Sequence, residues 1–407
     1  MKKVEKYVVL SLFDGASCGQ MALKEAGIGV EKYMASEIKK VAIDTTLKNF
    51  PNTAMVGDVT KLHYQRRTKT LYANCTRKVI DSLANYQGKE EWTKEELKKF
   101  SKRGYQVLPC GEVVKWIFGD VVHQGEIHLL IGGSPCQGFS SAHYYSKGKD
   151  TYGLKHEESK LFFEYLRLLK EVKPRYFFLE NVKMEKKSEA MLNEFMGVKG
   201  IHINSNLLSF QNRYRIYWTN IPNVTIPQDA HVNFQDFKLT TIPRVEPMLR
   251  AQKFEDDTTP LNLTQGEIDF ICKKNEWAYN ELRTITPTLT KEQFVNELHE
   301  ILKESLCKKA PFRDKMWHGD ANGKFKCKNL THDVEKVGCL CLVQDRNPNS
   351  GIIEHGGYIR LLSRLELCKA QTIPYHYMDG LSYRNVANLM GDSWTRDVIV
   401  HLFKGLK

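Results

Sequence analysis

The sequence predicts an α/β fold with a mostly parallel sheet, joined to a smaller domain of irregular structure. Apolar strand-like runs alternate with amphipathic helix-like segments over residues 7–59 and 126–182, an order typical of parallel sheets. This alternation disappears from about 222 to 350, where turn-rich stretches such as IPNVTIPQDAH predominate. The 407 residues suffice for one large domain and one smaller domain.

The individual elements follow from their local patterns. The predicted strands are 7–13, 31–38, 53–59, 126–136 and 175–182, and the predicted helices include 39–51 and 159–174. Five polar residues stand at or just past the carboxyl ends of these strands: Asp14, Glu37, Asp58, Cys136 and Glu180. Because open α/β sheets bind ligands outside that edge, the shared placement predicts a functional site there.

Composition suits a globular protein with a polyanionic partner. The chain has 60 Lys and Arg against 48 Asp and Glu, a net charge of +12, which fits nucleic acid but speaks to association rather than to fold. No window approaches the roughly 18–20 apolar residues of a membrane span. The apolar run YVVLSLF near the N-terminus is too short for the core of a signal peptide. We therefore expect a cytoplasmic protein whose ten cysteines are free thiols.

The glycine-rich turn in FDGASCGQMAL, residues 13–23, predicts a nucleoside site, with a plain tight turn as the alternative. Glu37 is placed for a ribose diol, Asp58 for an adenine amino group and Phe13 for the adenine ring. The turn is not G-x-G-x-x-G and has no Walker lysine, which favours a nucleoside without phosphates, such as S-adenosylmethionine. A second Gly-Asp-Val at 119–121 competes for the adenine role, but the short spacing from Glu37 favours Asp58.

Cys136 lies in GGSPCQGFSSA, where it could be a buried filler, half of a disulfide, a metal ligand or a nucleophile. A loop rich in glycine and serine past a strand end offers the access that a reactive thiolate needs. Glu180, after the apolar RYFFL, is expensive to bury without a partner or a task. In QNRYRIYW, a strand would place Gln211, Arg213 and Arg215 on one face, with a structural salt bridge as the alternative.

Taken in chain order, four motifs resemble the DNA cytosine-5 methyltransferase family. They are Phe13-Asp14-Gly15, Pro135-Cys136-Gln137, Glu180-Asn181-Val182 and Gln211-x-Arg213-x-Arg215. Near the C-terminus, RLLSRLELCKAQTIP resembles the helix that supports the DNA-binding module, and GDSW resembles the last cofactor-side motif. The resemblance spans about 1–60, 126–221 and 356–407 and implies a Rossmann-like, S-adenosylmethionine-dependent methyltransferase fold.

The resemblance implies a role for each catalytic candidate. The Cys136 thiolate would add to C6 of cytosine, Glu180 would protonate or hydrogen-bond N3, and Arg215 would hold O2. Arg213 would support the active loop or its phosphate contact. The target base would be flipped out of the duplex, and residues 137–153 would form a loop that closes over it. Gln137, Ser140 and Gln211 are the expected DNA contacts.

The resemblance also assigns the cofactor site. Phe13 would lie on the adenine, Glu37 on the ribose, Ile38 against the ring and Asp58 at the adenine amino group. The expected site is completed by Asp14, Gly15, Val59, Pro135, Asp392 and Trp394. The first motif has Ser17-Cys18-Gly19 where many members have a glycine pair, and Asp392 stands where many have asparagine.

We expect a catalytic domain of residues 1–221 plus 356–407 and a target-recognition domain of residues 222–355. Residues 60–125, rich in Lys and Arg, form an insertion with a predicted capping box of Thr93 and Glu96. The insertion is either a surface excursion without function or a contact for flanking DNA. Cys307, Cys327, Cys339 and Cys341 lack a C-x-x-C pair, so free thiols and no metal site are expected.

Two rival interpretations remain. A tRNA methyltransferase on the same fold would carry a Cys-Phe-Thr tripeptide, which the recognition region lacks, and a non-catalytic DNA-binding relative would usually lose the cysteine or the glutamate, both of which are present. We expect a bacterial or phage restriction-modification type of enzyme that acts on double-stranded DNA as a monomer, without an obligatory protein partner.

Overall fold

The computed structural model describes residues 6–80, 92–109, 112–135, 160–242, 261–306, 327–342, 349–355 and 358–407. The chain divides into two compact units. The first contains residues 1–203, 214–225 and 402–407, and the second contains residues 204–213 and 226–401.

The first unit is built around a mostly parallel sheet. Its strands are β1 (Tyr7–Leu12), β2 (Val30–Ser36), β3 (Ala54–Met55), β4 (His63–Gln65), β5 (Thr70–Ala73), β6 (Thr76–Val79), β7 (Gln106–Val107), β8 (Val113–Ile117), β9 (Asp120–Gln124), β10 (Leu129–Gly133), β11 (Tyr176–Val182), β12 (Ile201–Asn204) and β13 (Tyr214–Thr219). Among the described residues, seven of these strands form one sheet in the order β12-β13-β11-β10-β1-β2-β3. Strands β11, β10, β1, β2 and β3 run parallel, and β13 is antiparallel to β11.

Helices follow the parallel strands as the sequence predicts. They are α1 (Cys18–Glu25), α2 (Lys40–Asn49), α3 (Lys94–Lys102), α4 (Lys160–Val172) and α5 (Lys186–Met196). Strand β1 is buried along its whole length, because central parallel strands are covered on both faces. The apolar side of α4, with Phe162 and Tyr165, packs into the same core as Leu10 and Trp218.

One predicted strand is shorter than expected. The pattern of residues 53–59 predicts seven strand residues, but β3 has only two. The Asp58 side chain accepts a hydrogen bond from the Thr60 amide and begins a 3-10 turn at Val59–Lys61. A side chain that caps a turn in this way competes with strand pairing, so the chain leaves the sheet early.

The insertion contains two three-stranded antiparallel sheets, β4-β5-β9 and β6-β8-β7, in which the pairs β5/β9 and β6/β8 form one bent ribbon. Strand β5 pairs with β9 and β6 pairs with β8, so residues 70–79 run antiparallel to residues 113–124. Gly119 lies at the bend, where a Cβ atom would come within 2.1 Å of the Ala73 carbonyl oxygen. Helix α3 begins with the predicted capping box of Thr93 and Glu96, which is confirmed.

The second unit is more regular than the sequence predicts. Its elements are α6 (Gln265–Lys274), α7 (Glu276–Arg283), α8 (Lys291–Ser305), β14 (Ile353–His355), β15 (Tyr358–Arg360), α9 (Arg364–Ala370), α10 (Tyr383–Asp392) and α11 (Arg396–Phe403), whose last two residues belong to the first unit. Capping boxes begin α6 and α8, so the expectation of irregular structure missed local helix signals that were present.

The division of the chain also differs from the predicted domains, because residues 356–401 belong to the second unit. Arg360 and Glu366 form a fully buried ion pair at 2.8 Å. The Glu366 carboxylate also accepts a hydrogen bond from the Leu239 amide. These buried contacts join the segment to the region predicted to recognise the target.

Candidate active site

The catalytic candidates of the first unit lie at the carboxyl edge of the parallel strands. In the register of the sheet, Glu180 of β11 is paired with Gly133, the last residue of β10. Val182, near the end of β11, is paired with Arg215 of β13. The sheet therefore brings Glu180 level with the start of the Ser-Pro-Cys stretch.

Glu180 and Arg215 form a nearly buried ion pair. The distance from the Arg215 Nε atom to the Glu180 Oε1 atom is 2.7 Å, and the two side chains are 11% and 10% exposed. Arg215 Nη1 also donates to the Tyr214 carbonyl oxygen at 2.8 Å. The guanidinium is thus fixed at two points, and it holds the carboxylate in one orientation at the edge of the sheet.

Asn181 is a site residue whose task the sequence reasoning missed. Its side chain is fully buried, and its Nδ2 atom donates to the Ser134 hydroxyl at 2.9 Å. Its Oδ1 atom accepts from the Val182 amide at 2.7 Å. The signal was an amide in an otherwise apolar strand, because a buried amide needs hydrogen-bond partners. Asn181 links β11 to the residue that precedes Pro135.

Several predicted residues lie outside the described part of the chain. These are Cys136, Gln137, Ser140 and the rest of the loop predicted at 137–153. Pro135, immediately before them, is described and half-buried. The expected roles of these residues therefore stay predictions.

Gln211 and Arg213 do not share a strand face with Arg215, because β13 begins only at Tyr214. Gln211 is fully buried, donates to the Ala370 carbonyl and accepts from the Leu340 amide. In this arrangement the Gln211 side chain is inaccessible, and its expected contact with DNA stays a prediction.

Arg213 is likewise buried within the second unit. Its guanidinium donates to three carbonyl oxygens, those of Leu340, Gly391 and Ser393, at 2.7 to 3.1 Å. A buried guanidinium whose two terminal nitrogens donate to carbonyl oxygens positions backbone, and the loop that it was predicted to support lies outside the described residues.

The cofactor candidates of the first unit converge on the turn after β1. Both carboxylate oxygens of Glu37 accept backbone amides, with Oε2 at 2.8 Å from Gly15 and Oε1 at 2.7 Å from Ile38 and 2.8 Å from Lys39. Phe13 and Ser17 adopt φ of 55° and 54°, a region that costs energy for residues other than glycine. Such strain is typical of ligand-binding turns held by their surroundings.

Asp14 is held beneath this turn. Its carboxylate accepts from the Tyr33 hydroxyl at 2.7 Å and from the Ser17 hydroxyl. Burial raises the pKa of Asp14 to about 6, the hydroxyl hydrogen bonds oppose this rise, and the nearby Glu37 adds to it. The carboxyl therefore titrates within the range in which enzymes are usually assayed.

The structure separates the two Gly-Asp-Val candidates. Asp58 lies three residues past the end of β3, and its Oδ1 atom accepts from Thr60. Asp120 lies in the insertion and accepts from Asn74 at 2.7 Å. The placement of Asp58 agrees with the sequence preference, and Val59 beside it is buried.

Ile38 is the most unusual apolar residue of this edge, because 72% of its surface is exposed. An isolated exposed isoleucine next to a strained turn is available to cover an apolar ligand. Asp392 ends α10 and Trp394 follows it, both in the second unit, so their expected cofactor contacts stay predictions.

The described part of the chain also bears on metal binding and on membrane insertion. No group of three or more metal-binding side chains occurs there, and Cys327, Cys339 and Cys341 are free thiols. In the same residues, no helix is long and apolar enough to cross a bilayer.

The described fold is a Rossmann-like, mostly parallel sheet with the candidate site at its carboxyl edge. The model of a family described as C-5 cytosine-specific DNA methylase matches residues 84–407. The chain belongs to this family.

Individual relatives are more distant. The chain is 29% identical over 242 residues to the orphan methyltransferase M.Rho11sI of Bacillus phage rho11s, covering 56% of this chain and 36% of the relative. It is 30% identical over 162 residues to the type II methyltransferase M1.ScrFI of Lactococcus lactis subsp. cremoris, covering 36% and 38%. The aligned stretches thus span little more than a third of these relatives.

Among solved structures, the Entamoeba histolytica methyltransferase EhMeth has a TM-score of 0.50 at 12% identity, covering 99% of both chains. This likeness concerns the fold alone.

Proposed function

We propose that the protein is a DNA cytosine-5 methyltransferase that uses S-adenosyl-L-methionine to methylate C5 of a flipped cytosine in duplex DNA. The observation that carries the proposal is the Glu180–Arg215 ion pair, which lies level with Gly133 at the end of β10, three residues before Cys136 in the sequence. Family membership and the methyltransferase names of the phage and bacterial relatives support it.

The proposed chemistry begins at the target cytosine, whose C5 atom is a poor nucleophile. The Cys136 thiolate forms a bond to C6, which makes C5 an enamine-like carbanion equivalent. Glu180, in its protonated form, donates a proton or hydrogen bond to N3, drawing charge off the ring. After C5 gains the methyl group, C5 loses its proton to water, the electron pair of that C–H bond restores the double bond between C5 and C6, and the bond between the sulfur and C6 breaks to release the thiolate.

Arg215 has two tasks in this proposal. It holds Glu180 through the 2.7 Å contact, so that the acid is oriented before the base arrives. Its positive charge also favours the negative charge that develops on O2 of the cytosine, because oriented charges act strongly in a site that excludes water. Arg213 contributes only indirectly, by fixing the backbone that it contacts.

The first unit fits the expected cofactor. Gly15 has no atom within 4 Å of the place where a Cβ would lie, which leaves open space above the turn. Exposed Ile38 and half-buried Phe13 offer apolar surface for an adenine, and Glu37 can accept from a ribose. Asp58 uses only Oδ1 among the described contacts, which leaves Oδ2 for an amino group. When bound, S-adenosylmethionine supplies an electrophilic methyl group on a sulfonium.

Bisulfite sequencing of DNA from cells that express the protein tests the proposal. We expect one short sequence to carry methylated cytosine with the wild type and none with Cys136→Ser. Retention of methylation by Cys136→Ser would refute the covalent mechanism. The proposed activity would be refuted if the wild type bound the cofactor but left every sequence unmethylated.

A transfer assay with labelled cofactor tests the substrate. Duplex DNA and tRNA are supplied in parallel, and label is expected in DNA only. Label in tRNA alone would identify the RNA-modifying branch. Light scattering of the purified chain tests the further proposal that it acts as a monomer without a protein partner.

A further inference from the structure

The insertion presents a polar face for which the proposed chemistry has no use. In the ribbon, Thr76 is paired with Ile117 and Lys78 is paired with Lys115. All four side chains are exposed, and they project on the same side because strand side chains alternate. We call these four residues the basic ribbon face.

Two lysines stand directly opposite one another on this face. Like charges in a cross-strand pair destabilise a sheet, so an uncompensated pair calls for a negative partner. Within the described residues, neither lysine has an acidic partner. Two other cations of the insertion do have acidic partners: Lys69 contacts Glu126 at 2.5 Å, and Arg77 on the opposite face contacts Glu164.

The opposite face of the ribbon is anchored to α4. Arg167, 1% exposed, pairs with Glu171 at 2.9 Å and lies 5.0 Å from the Trp116 ring centre. Glu171 also accepts from the Tyr64 amide at 3.0 Å and from Gln106 at 2.8 Å. A network of buried charged hydrogen bonds holds the insertion in place, so the basic ribbon face is carried on a rigid support.

The charge of the insertion points to the same kind of partner. Residues 60–125 contain 13 Lys and Arg against 7 Asp and Glu, which is half of the net charge of +12 of the whole chain. Lysines and hydroxyl groups are the side chains that contact phosphate and position a protein on a duplex.

We infer that the basic ribbon face binds the phosphate backbone of duplex DNA outside the target sequence. The inference rests on the proposed function, because it assigns a second contact to the same DNA. Lys78 and Lys115 neutralise phosphates, and Thr76 donates its hydroxyl hydrogen. The contact carries no sequence information, so it raises affinity for any duplex long enough to reach it.

The test measures the affinity of the full chain for a random-sequence duplex over a series of salt concentrations. Each neutralised phosphate contributes about 0.9 to the slope of log affinity against log salt. We therefore expect Lys78→Gln/Lys115→Gln to lower the magnitude of that slope by about two. The matched control is Lys6→Gln/Lys24→Gln, which removes two exposed lysines at the opposite, amino-terminal edge of the sheet and is expected to leave the slope unchanged.

A single charge reversal separates DNA binding from stability. Lys115→Glu would place an acid opposite Lys78, which should raise the melting temperature while it weakens DNA binding. A slope equal to that of the wild type in the double variant would overturn the inference. The binding measurement uses a duplex of random sequence and does not depend on methylation. Failure of this inference is therefore distinguishable from failure of the proposed activity, which bisulfite sequencing tests.

Discussion

Replacing Arg215 by alanine would leave the Glu180 carboxylate nearly buried without its counter-charge. In the folded protein, the two side chains are 11% and 10% exposed and their closest atoms are 2.7 Å apart. Removing one partner of a buried pair costs about 3–5 kcal/mol, because the remaining charge has lost its water and gained nothing in return. The small residual exposure places this pair at about 3 kcal/mol, roughly a hundredfold in the equilibrium between closed and open forms.

The double variant Glu180→Gln/Arg215→Ala removes both charges. A neutral amide needs no counter-charge, so we expect most of the lost stability to return and a cost of about 1 kcal/mol to remain for the missing hydrogen bonds. Both variants should be inactive, because the proposed chemistry uses both side chains. The rescue therefore concerns stability alone.

Native-state hydrogen exchange of the β11 and β13 amides is the appropriate measurement, because it reports the opening of this part of the sheet. The reasoning would be refuted if Arg215→Ala protected these amides as well as the wild type does. It would equally fail if the double variant were no better protected than Arg215→Ala, since the cost would then lie in packing rather than in charge.

Three further predictions follow from buried polar groups. The pKa of Asp14 is about 6 in the folded protein and about 3.8 in the unfolded chain, so between these pH values the folded protein keeps a proton that the unfolded chain releases. The stability that protonated Asp14 contributes therefore falls as the pH rises from about 4 to 6. Asp14→Asn should flatten this part of the curve of unfolding free energy against pH. Burial opposes ionisation of Glu171, but the Arg167 guanidinium outweighs burial and lowers the pKa of Glu171 to about 2. The stability that ionised Glu171 contributes is therefore lost as the pH falls from about 4.5 to 2. At neutral pH, Glu171→Gln should lower the free energy of unfolding by about 2–3 kcal/mol and speed hydrogen exchange in residues 112–117. Asn181→Ala should lower kcat roughly tenfold with little change in cofactor affinity, because it removes the hydrogen bond that holds the residue after β10. The control is Asn220→Ala, which breaks similar hydrogen bonds at the other end of β11 and should leave kcat unchanged. Equal effects of the two changes on kcat would contradict a positioning role for Asn181.

The parallel sheet was predictable because its signals are local. Strand β1 is an almost entirely apolar run, and Glu180 is a single acid near the end of a second apolar run. The apolar pattern alone therefore predicted both strands and placed Glu180 near the carboxyl end of its strand. The capping box of Thr93 and Glu96 was predictable for the same reason, since both partners lie within one helical turn.

The fates of Gln211 and Arg213 were not predictable from alternation. Their partners are Ala370, more than 150 residues away, and the carbonyl of Leu340, more than 120 residues away. The argument from alternating side chains assumes that residues 211–215 form a strand. A segment forms a strand only where a neighbouring strand supplies the backbone hydrogen bonds, and the local sequence does not show where that neighbour ends. Since β13 begins at Tyr214, the side chains of Gln211 and Arg213 are oriented by other contacts, those with Ala370 and Leu340.

The sequence by itself determined the residue types of the site and their order along the chain, because a thiol, a carboxyl or a guanidinium has its chemistry wherever it lies. It also determined which segments form the parallel sheet, because apolar periodicity acts over a few residues. Only the tertiary structure decided that Arg215 holds Glu180, that Asn181 links β11 to the residue before Pro135, and that the insertion is anchored on α4 through Glu171. The physical reason is that buried polar groups must find partners, and they find them across distances in the chain that no local pattern encodes.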